Sequence, residues 1–379
     1  MIHFKLMTIG LLLCLMCGAC STIKPGTPSP SPVPVTPKAS PEARALLEFI
    51  DSLSGQHTLT GQHNFPNTKD ASTLAAARAY GKVPAIFGQD FGFAAPGDKD
   101  AVDARPEIIA EIKRQFAQGA IITLCWHAVP PTADEPVTFR SKPGDGTTSP
   151  NLSSVQGRLT DQQWHDVITP GTELNKKWCA QVDVIAGFLK QLQAAHIPVL
   201  WRPYHEMNGD WFWWGGRVGN NGTKVIYRQI FDRLVNYHHL DNLIWVWSVD
   251  RPARADRQFV DYNPGTNYFD IAALDVYGSD FQQSYYNDLL VQAAGKPVTL
   301  AEVGPPPTVT VLAEQPAWTW WMSWAGSVHH SDAVQALFDD PRSYSLGDPE
   351  FIKAFAPTRA AFGLPPLKPV TPPTAAKFR

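Results

Sequence analysis

The sequence predicts a single α/β domain, a (β/α)8 barrel, over residues 42–364. Short apolar runs alternate with longer amphipathic segments along this range, which is the pattern of βα units in a parallel sheet. The runs amount to eight candidate strands, and eight strands with helices between them close a TIM barrel. A chain of 379 residues also allows two domains, but one barrel accounts for the length.

The predicted strands are rich in Val, Ile, Leu and aromatic residues. In chain order they are Leu59–Gly61, Val83–Phe87, Ala120–Trp126, Pro198–Arg202, Leu243–Trp247, Ile271–Val276, Pro297–Ala301 and Thr319–Ser323. The helical patterns between them are Ser72–Tyr80, Ala104–Gln118, Lys176–Ala195, Lys224–Tyr237, Tyr285–Ala294 and Ser331–Leu337. Two connections, Gly92–Asp103 and His127–Asn175, are long and are expected to be irregular.

Residues 1–20 have the pattern of an export signal. Lys5 precedes the apolar stretch Ile9–Met16, which is too short to span a bilayer as a mature helix. Gly18-Ala19-Cys20 resembles a bacterial lipobox, although Cys17 stands where that motif prefers Leu. We therefore expect an exported protein with a lipid on Cys20 that anchors it to the bacterial outer membrane; ordinary secretion is the alternative.

The segments on either side of the predicted domain lack the composition of a core. Residues 21–41 alternate Pro with Ser, Thr and Val, which predicts an extended, polyproline-like linker. Residues 365–379 are similar and are predicted to form a frayed tail.

The composition argues against a nucleic-acid partner and leaves open whether two cysteines form a disulfide. A net charge of −3 without a run of Lys or Arg gives no reason to expect a nucleic-acid partner. Cys125 and Cys179 lie outside the targeting segment and could pair in an oxidising compartment or remain separate thiols. Their spacing does not indicate a metal site, and no metal or organic cofactor is implied.

Function in such a barrel collects after the carboxyl ends of the strands. Polar and aromatic residues fill nearly all of these positions: Gln62, His63, Asn64, Gln89, Asp90, Trp126, His127, Arg202, His205, Glu206, Ser248, Asp250, Asp275, Tyr277, Glu302 and Trp324. Loops are polar in general, but this set is richer in His, Trp and carboxylates than ordinary loops are. The predicted mouth of the barrel is therefore the candidate active site.

Two carboxylates in this set, Glu206 and Glu302, end the fourth and seventh strands. These strands lie across the mouth from each other, so the side chains converge on one cleft. A pair of carboxylates there suits glycoside hydrolysis, in which one protonates the leaving oxygen and the other attacks the anomeric carbon or activates water. The aromatic residues around Glu206 favour its neutral form, and hence the role of proton donor. The indole faces of Trp211, Trp213 and Trp214 are also expected to supply flat apolar surface for pyranose rings. Arg202 and Tyr277 are expected to keep Glu302 ionised.

Other catalytic motifs are weak or missing. His205-Glu206 begins like the zinc motif His-Glu-x-x-His, but Gly209 stands at the second ligand position. The sequence contains no Gly-x-Ser-x-Gly elbow.

The run Arg202-Pro-Tyr-His-Glu-Met-Asn-Gly-Asp-Trp-Phe-Trp-Trp-Gly215 closely resembles the acid/base motif of glycoside hydrolase family 26, the β-mannanase family. Ala301-Glu302-Val-Gly304 is similar to that family's nucleophile motif. Further matches are Trp126-His127, Trp245-Val-Trp247-Ser248 and Asp275-Val-Tyr277. The resemblance spans roughly residues 45–360 and implies a barrel that hydrolyses β-1,4-mannosidic bonds with retention.

The resemblance also implies roles for individual residues. Glu206 would be the acid/base and Glu302 the nucleophile. Other residues would bind substrate: His205, Arg202, Tyr277 and Trp211 around the catalytic subsite, His127 and Asp275 on one side of the sugar, Trp324 as a stacking floor, and Trp126 and Asp90 as further candidates.

Several alternatives stay open at this point. Val249-Asp250 stands where the family usually has Pro-Asn, which leaves specificity beyond the catalytic subsite undecided. The substrate could be another β-polymer, a glucan or a xylan. The alternative outside the enzymes is a non-catalytic carbohydrate-binding lipoprotein. The loop His127–Asn175 could simply cover the barrel, or wall off one end of the cleft so that the enzyme releases short products such as mannobiose.

Overall fold

The computed structural model describes residues 32–93, 100–140, 149–328, 331–370 and 372. The predicted signal peptide, with Cys20, and most of the predicted linker lie outside the described residues. Within them, eight parallel strands form a closed barrel, which confirms the predicted fold. The same residues contain no helix that combines the length and apolarity needed to cross a membrane.

Each barrel strand pairs in parallel with the next one along the chain, and β1 closes the ring by pairing with both β2 and β8. The strands are buried along their whole length because helices cover the outside of the barrel. They are β1 Thr58–His63, β2 Ile86–Asp90, β3 Ile121–Trp126, β4 Val199–Pro203, β5 Leu243–Asp250, β6 Ile271–Val276, β7 Val298–Val303 and β8 Trp318–Ser323.

The described helices include every one predicted, together with several that the sequence patterns did not show. They are α1 Pro41–Leu53, α2 Ala71–Tyr80, α3 Arg105–Gln118, α4 Asp161–Ile168, α5 Glu173–Gln193, α6 Thr223–Phe231, α7 Phe259–Tyr262, α8 Gln283–Ala293, α9 Val309–Glu314, α10 Asp332–Asp339 and α11 Pro349–Ala361. A π-helical turn over Asp232–Tyr237 continues α6, so the predicted single helix changes its winding there.

The second strand differs from its prediction. It begins at Ile86 rather than Val83, since Pro84 has no N–H for a sheet ladder. Val83 instead forms an antiparallel bridge with Leu346. A ninth, unpredicted strand, β9 (Ser343–Tyr344), pairs with the start of β1.

The predicted loop between β3 and β4 contains α4 and the beginning of α5. A capping box starts α4: the Thr160 hydroxyl accepts from the Gln163 backbone N–H, and the Gln163 side chain accepts from the Thr160 backbone N–H. The Thr-x-x-Gln signal was present in the sequence, so the expectation of a wholly irregular loop was wrong here.

Segments expected to be loose at both ends contact the barrel. The backbone N–H of Val35, within the predicted linker, donates to Asp270 Oδ1 at 2.7 Å. In the predicted tail, the Pro365 carbonyl accepts from Arg359 Nε at 2.7 Å, and Leu367 packs over Gly119. Leu367 and Val370 therefore pack against the core, whereas the residues around them are exposed. Cys125, on β3, and Cys179, on α5, are both free thiols.

Candidate active site

The segment after β4 places Glu206 in an unusual backbone conformation. Tyr204 and Glu206 have φ values of 48° and 50°, in the left-handed region that costs about 1–2 kcal/mol for a residue with a side chain. Neighbouring side chains hold this backbone: Trp214 Nε1 donates to the His205 carbonyl at 2.9 Å, and Trp178 Nε1 donates to the Tyr204 hydroxyl at 2.7 Å. Strain of this kind persists only where the surroundings enforce it.

The tryptophans of this segment divide into two groups. Trp213 and Trp214 are fully buried, and Trp213 Nε1 donates to the Ala128 carbonyl at 2.7 Å. Their indole rings are scaffold, not sugar-binding surface as the sequence suggested. Trp211, in contrast, lies at the cavity and donates through Nε1 to Glu206 Oε2 at 2.6 Å.

Glu302, on β7, accepts two strong hydrogen bonds. Arg202 Nη2 donates to Oε2 at 2.6 Å, and the Tyr277 hydroxyl donates to Oε1 at 2.5 Å. Donors to both oxygens stabilise the ionised form of a carboxylate and fix its orientation. Burial, followed by the charge of Glu302, raises the pKa of Tyr277, so this hydroxyl stays a donor.

Arg202 lies behind the cavity rather than in its wall. Its side chain is 1% exposed, and Nη1 donates to Asp275 Oδ2 at 2.7 Å. Asp275 is fully buried and accepts a second hydrogen bond from the Ser248 hydroxyl at 2.8 Å. The resemblance implied that both residues contact the sugar, but the structure places them behind the cavity as a support for Glu302. The hydrogen bond from Arg202 to Glu302 is the contact expected from the position of Arg202 on its strand.

Glu206 has a very different environment. Within the described residues its only hydrogen-bond donor is the Trp211 indole, and its carboxyl group is buried. Burial raises the pKa of Glu206 well above its usual range, and the charges of Glu302, Asp275 and Asp250 add to the effect. Burial therefore favours the protonated form of Glu206, which suits a proton donor.

His127 and Asp90 form a buried pair at the ends of β3 and β2. His127 Nδ1 and Asp90 Oδ2 are 2.5 Å apart, and His127 Nε2 lies 3.1 Å from His205 Nε2. Burial alone would raise the pKa of Asp90, but the charge and hydrogen bond of His127 more than offset it. Asp90 thus carries a negative charge that orients His127, and it lies behind the cavity wall instead of contacting the sugar directly.

Two further histidines border this pair and are uncharged at neutral pH. Burial lowers the pKa of His63 to about 3 and lowers the pKa of His205 well below its usual value. The His63 ring stacks on Trp324 with ring centroids 4.1 Å apart. His63 thus covers one face of Trp324, and Trp324 also lines the cavity.

These groups surround a cavity of about 330 Å³. It is lined by His127, Phe139, Gln156, His205, Glu206, Trp211, Phe212, Asp250, Arg251, Tyr277, Glu302 and Trp324. Seven of the sequence-predicted site residues are in this lining. Arg202, Asp275 and Asp90 stand behind it, and Trp126 is buried in the core.

Five lining residues were not predicted to bind substrate: Phe139, Gln156, Phe212, Asp250 and Arg251. The sequence could have identified two of them. Asp250 follows a predicted strand, and Phe212 belongs to the aromatic run after Glu206. Phe139 and Gln156 belong to the long loop after β3, where no sequence pattern marks them. Gln156 reaches the cavity because it forms an antiparallel bridge with Phe212.

A cluster of Asp90, Cys125 and His127 brings possible metal ligands within 4.8 Å of one another. Asp90 and His127 already use these atoms on each other. Burial also raises the pKa of the Cys125 thiol well above its usual value, which disfavours the thiolate that a metal needs. The arrangement therefore fits a hydrogen-bonded cluster better than a metal site.

Two carboxyl groups line the cavity at the mouth of this barrel: Glu302 accepts hydrogen bonds on both oxygens, and burial raises the pKa of Glu206. This combination defines a class of protein, the barrel glycoside hydrolases. The chain belongs to glycosyl hydrolase family 26, whose family model matches residues 35–347.

Known proteins with similar sequences include a mannan endo-1,4-β-mannosidase of Bacillus subtilis, 29% identical over 80% of this chain and 81% of its own length. Mannan endo-1,4-β-mannosidase A of Piromyces sp. is 29% identical over 76% of the chain. The alignment with that relative covers only 44% of the relative's own length, so the chain spans about half of it. Among solved structures, GH26A from Muricauda sp. is 38% identical with a TM-score of 0.74, covering 82% of this chain and 98% of that one.

The buried position of Glu206 predicts a pH-dependent gain in stability for Glu206→Gln. Because the folded pKa lies above the unfolded one, the folded protein binds the extra proton between the two values, and the free energy of unfolding falls as pH rises through that window. Glutamine removes this loss. Relative to wild type, the variant should gain about 1.4 kcal/mol for each pH unit that separates the two pKa values.

Urea unfolding of both proteins across a pH series measures this difference. Glu314→Gln, at an exposed carboxylate that ends α9, is the matched control. A constant difference between wild type and Glu206→Gln from acid to alkaline pH would show that the Glu206 carboxyl group is not held protonated.

Proposed function

We propose that this protein is a retaining β-1,4-mannan hydrolase in which Glu302 is the nucleophile and Glu206 the acid/base. One observation carries the proposal: two carboxyl groups face the same cavity in opposite electrostatic environments. Glu302 accepts from Arg202 and Tyr277, which suits a carboxylate that attacks. Burial makes Glu206 retain its proton, which suits a donor.

In the first step, a Glu302 oxygen forms a bond to the anomeric carbon while the glycosidic C–O bond breaks. Glu206 gives its proton to the departing oxygen, so the leaving sugar departs as a neutral alcohol. Glu302 loses its negative charge when the ester forms. Arg202 keeps its hydrogen bond to Asp275 during this step.

In the second step, Glu206 is ionised and takes a proton from water as the water oxygen attacks the anomeric carbon. The ester bond breaks and Glu302 regains its charge between Arg202 and Tyr277, whose hydrogen bonds stabilise the departing carboxylate. Loss of the Glu302 charge in the ester lowers the pKa of Glu206 at the stage where it must act as a base, because that charge is one cause of its raised value.

Support for mannan as the substrate comes from the relatives, several of which bear the name mannan endo-1,4-β-mannosidase. A solved β-mannanase from a termite symbiont, 25% identical with a TM-score of 0.68, is described in complex with a gluco-manno-oligosaccharide. A glucan is the second candidate, because 112 residues of the chain are 32% identical to endoglucanase H of Acetivibrio thermocellus.

The position of cleavage along the polymer is part of the proposal. Phe139 and Gln156, from the long loop after β3, form part of the cavity wall. We propose that this loop limits the cleft at one end and favours release of short products such as mannobiose. The names of the relatives describe endo action, which is the competing outcome.

The cellular location of the proposed enzyme rests on the sequence of residues 1–41. We propose export, acylation at Cys20 and attachment to the bacterial outer membrane through the Pro-rich linker. The full chain expressed in a bacterial host should incorporate labelled palmitate, and Cys20→Ser should not. Equal labelling of both proteins, or none in either, contradicts the anchor; the second result leaves ordinary secretion.

The two carboxyl groups should respond differently to the leaving group. Glu206→Ala should lose about 10²–10⁴-fold in kcat on mannotetraose, yet still form the glycosyl-enzyme quickly from 2,4-dinitrophenyl β-mannobioside, whose leaving group needs no proton. Glu302→Ala should lose at least as much on both substrates. Stopped-flow release of dinitrophenol checks this, with Glu314→Ala as the control.

Rapid release of dinitrophenol in the first turnover of Glu302→Ala would contradict the assigned roles. Near-wild-type turnover of mannotetraose by either variant would contradict them as well.

A polymer panel tests the substrate and the mode of action together. Reducing-sugar release should be large from mannan and small from cellulose and xylan. Product sizes over time decide the mode: a single short product from the start supports chain-end action, and a ladder supports endo action. Release from none of the three polymers would favour a non-catalytic carbohydrate-binding protein.

A further inference from the structure

The cavity has a second polar end that the proposed mechanism does not use. Asp250 ends β5, Arg251 follows it, and both line the cavity with Glu206 and Glu302. Around the barrel, β5 and β6 separate β4 from β7 in one direction. In the other direction the route passes β8, which is followed by Trp324, and then β1, β2 and β3. The catalytic pair therefore has an aromatic side and an ionic side.

The Asp250 carboxylate has unused hydrogen-bonding capacity. Its side chain is 5% exposed, and within the described residues its hydrogen bonds are to its own neighbour: Arg251 Nε, 3.4 Å from Oδ1, and the Arg251 backbone N–H. A carboxylate has about four lone-pair sites, so several face the cavity without a donor. A buried carboxylate in this condition is costly unless a ligand supplies donors.

Backbone contacts tie this ionic pair to both catalytic residues. Asn208, two residues after Glu206, donates to the Asp250 carbonyl at 2.6 Å and accepts from the Asp250 N–H at 2.7 Å. Arg251 Nη1 donates to the carbonyl of Tyr277 at 2.6 Å. Asp250 therefore has a fixed position relative to the acid/base, and Arg251 relative to the tyrosine that holds the nucleophile.

We infer that Asp250 and Arg251 bind the pyranose on the leaving-group side of Glu206 and so select substrates whose leaving group is a sugar. The inference rests on the proposed function and adds a specificity to it. Two neighbouring hydroxyl groups of the ring would donate to the Asp250 carboxylate, and the Arg251 guanidinium would donate to a ring or hydroxyl oxygen. The side follows from the order of strands around the barrel: β7, which bears Glu302, neighbours β8 and Trp324, whereas β4, which precedes Glu206, neighbours β5 and Asp250. A ring that leaves on the Glu206 side therefore extends toward β5.

The test compares two substrates of one enzyme. The ratio of kcat/KM for mannotetraose to kcat/KM for 2,4-dinitrophenyl β-mannobioside reports how much the enzyme gains from a sugar as leaving group. Asp250→Asn should lower this ratio about 10- to 100-fold, since it weakens charge-assisted hydrogen bonds. Asp256→Asn, a similar change on the same loop at an exposed residue paired with Arg254, should leave the ratio unchanged.

The pH dependence of the ratio separates sugar binding from an indirect effect through the acid. Asp250 is one of the charges that raise the pKa of Glu206, so its removal also reduces the protonated fraction of Glu206 at higher pH. Burial also raises the pKa of Asp250, so the comparison uses the pH plateau of each protein rather than acidic solution. A loss caused by missing sugar contacts lowers the plateau of kcat/KM for mannotetraose, whereas an effect through the acid only moves the alkaline limb of the profile to lower pH. An unchanged plateau with a shifted alkaline limb, or an unchanged ratio, overturns the inference while the proposed function stands. If the wild-type protein cleaves neither substrate, the proposed function fails and the inference fails with it.

Discussion

A single buried guanidinium, that of Arg202, organises the catalytic side of this barrel. It donates to Asp275 on β6 and to Glu302 on β7, while its own backbone belongs to β4. Removing one partner of a buried ion pair costs about 3–5 kcal/mol, so each member depends on the others. Burial disfavours the charge of Arg202, but Asp275 and Glu302 together raise its pKa above the ordinary value. The cation therefore persists out of contact with water and holds Glu302 in place through the hydrogen bond from Nη2.

The same cation explains why Glu206 behaves differently from Glu302. Both Nη atoms of Arg202 already donate to carboxyl groups, and within the described part of the chain Glu206 accepts only from the Trp211 indole. Its neighbours Glu302 and Asp275 act on it as negative charges and favour its protonated form. One buried cation shared by several carboxyl groups thus separates the acid from the nucleophile. The left-handed backbone at Glu206 and the buried indoles that support it place that acid over the cavity.

Much of this arrangement was predictable from the sequence, for physical reasons. The alternation of apolar runs with amphipathic segments predicted the barrel. The polar and aromatic residues that follow the strand ends then located both catalytic carboxyl groups, Tyr277 and Trp324. The depth of each side chain was not predictable. Asp275 and Asp90 stand at strand ends like true lining residues, but they point at Arg202 and His127, and only the packing of neighbouring strands decides this. Trp213 and Trp214 look like sugar platforms in the sequence, yet both are buried because their segment folds back on β3 and β4. Phe139 and Gln156 were missed because their place depends on contacts distant in sequence.

The central claim is that Arg202 and Tyr277 make Glu302, and not Glu206, the nucleophile. Trapping with a 2-deoxy-2-fluoro mannosyl or mannobiosyl fluoride tests it most directly, since the fluorine slows breakdown of the ester and leaves the intermediate attached. Peptide mass spectrometry of the labelled protein should find the sugar on the peptide that contains Glu302, and Glu302→Ala should remain unlabelled. A sugar attached to Glu206, or turnover of the fluoride without any covalent adduct, would contradict the account.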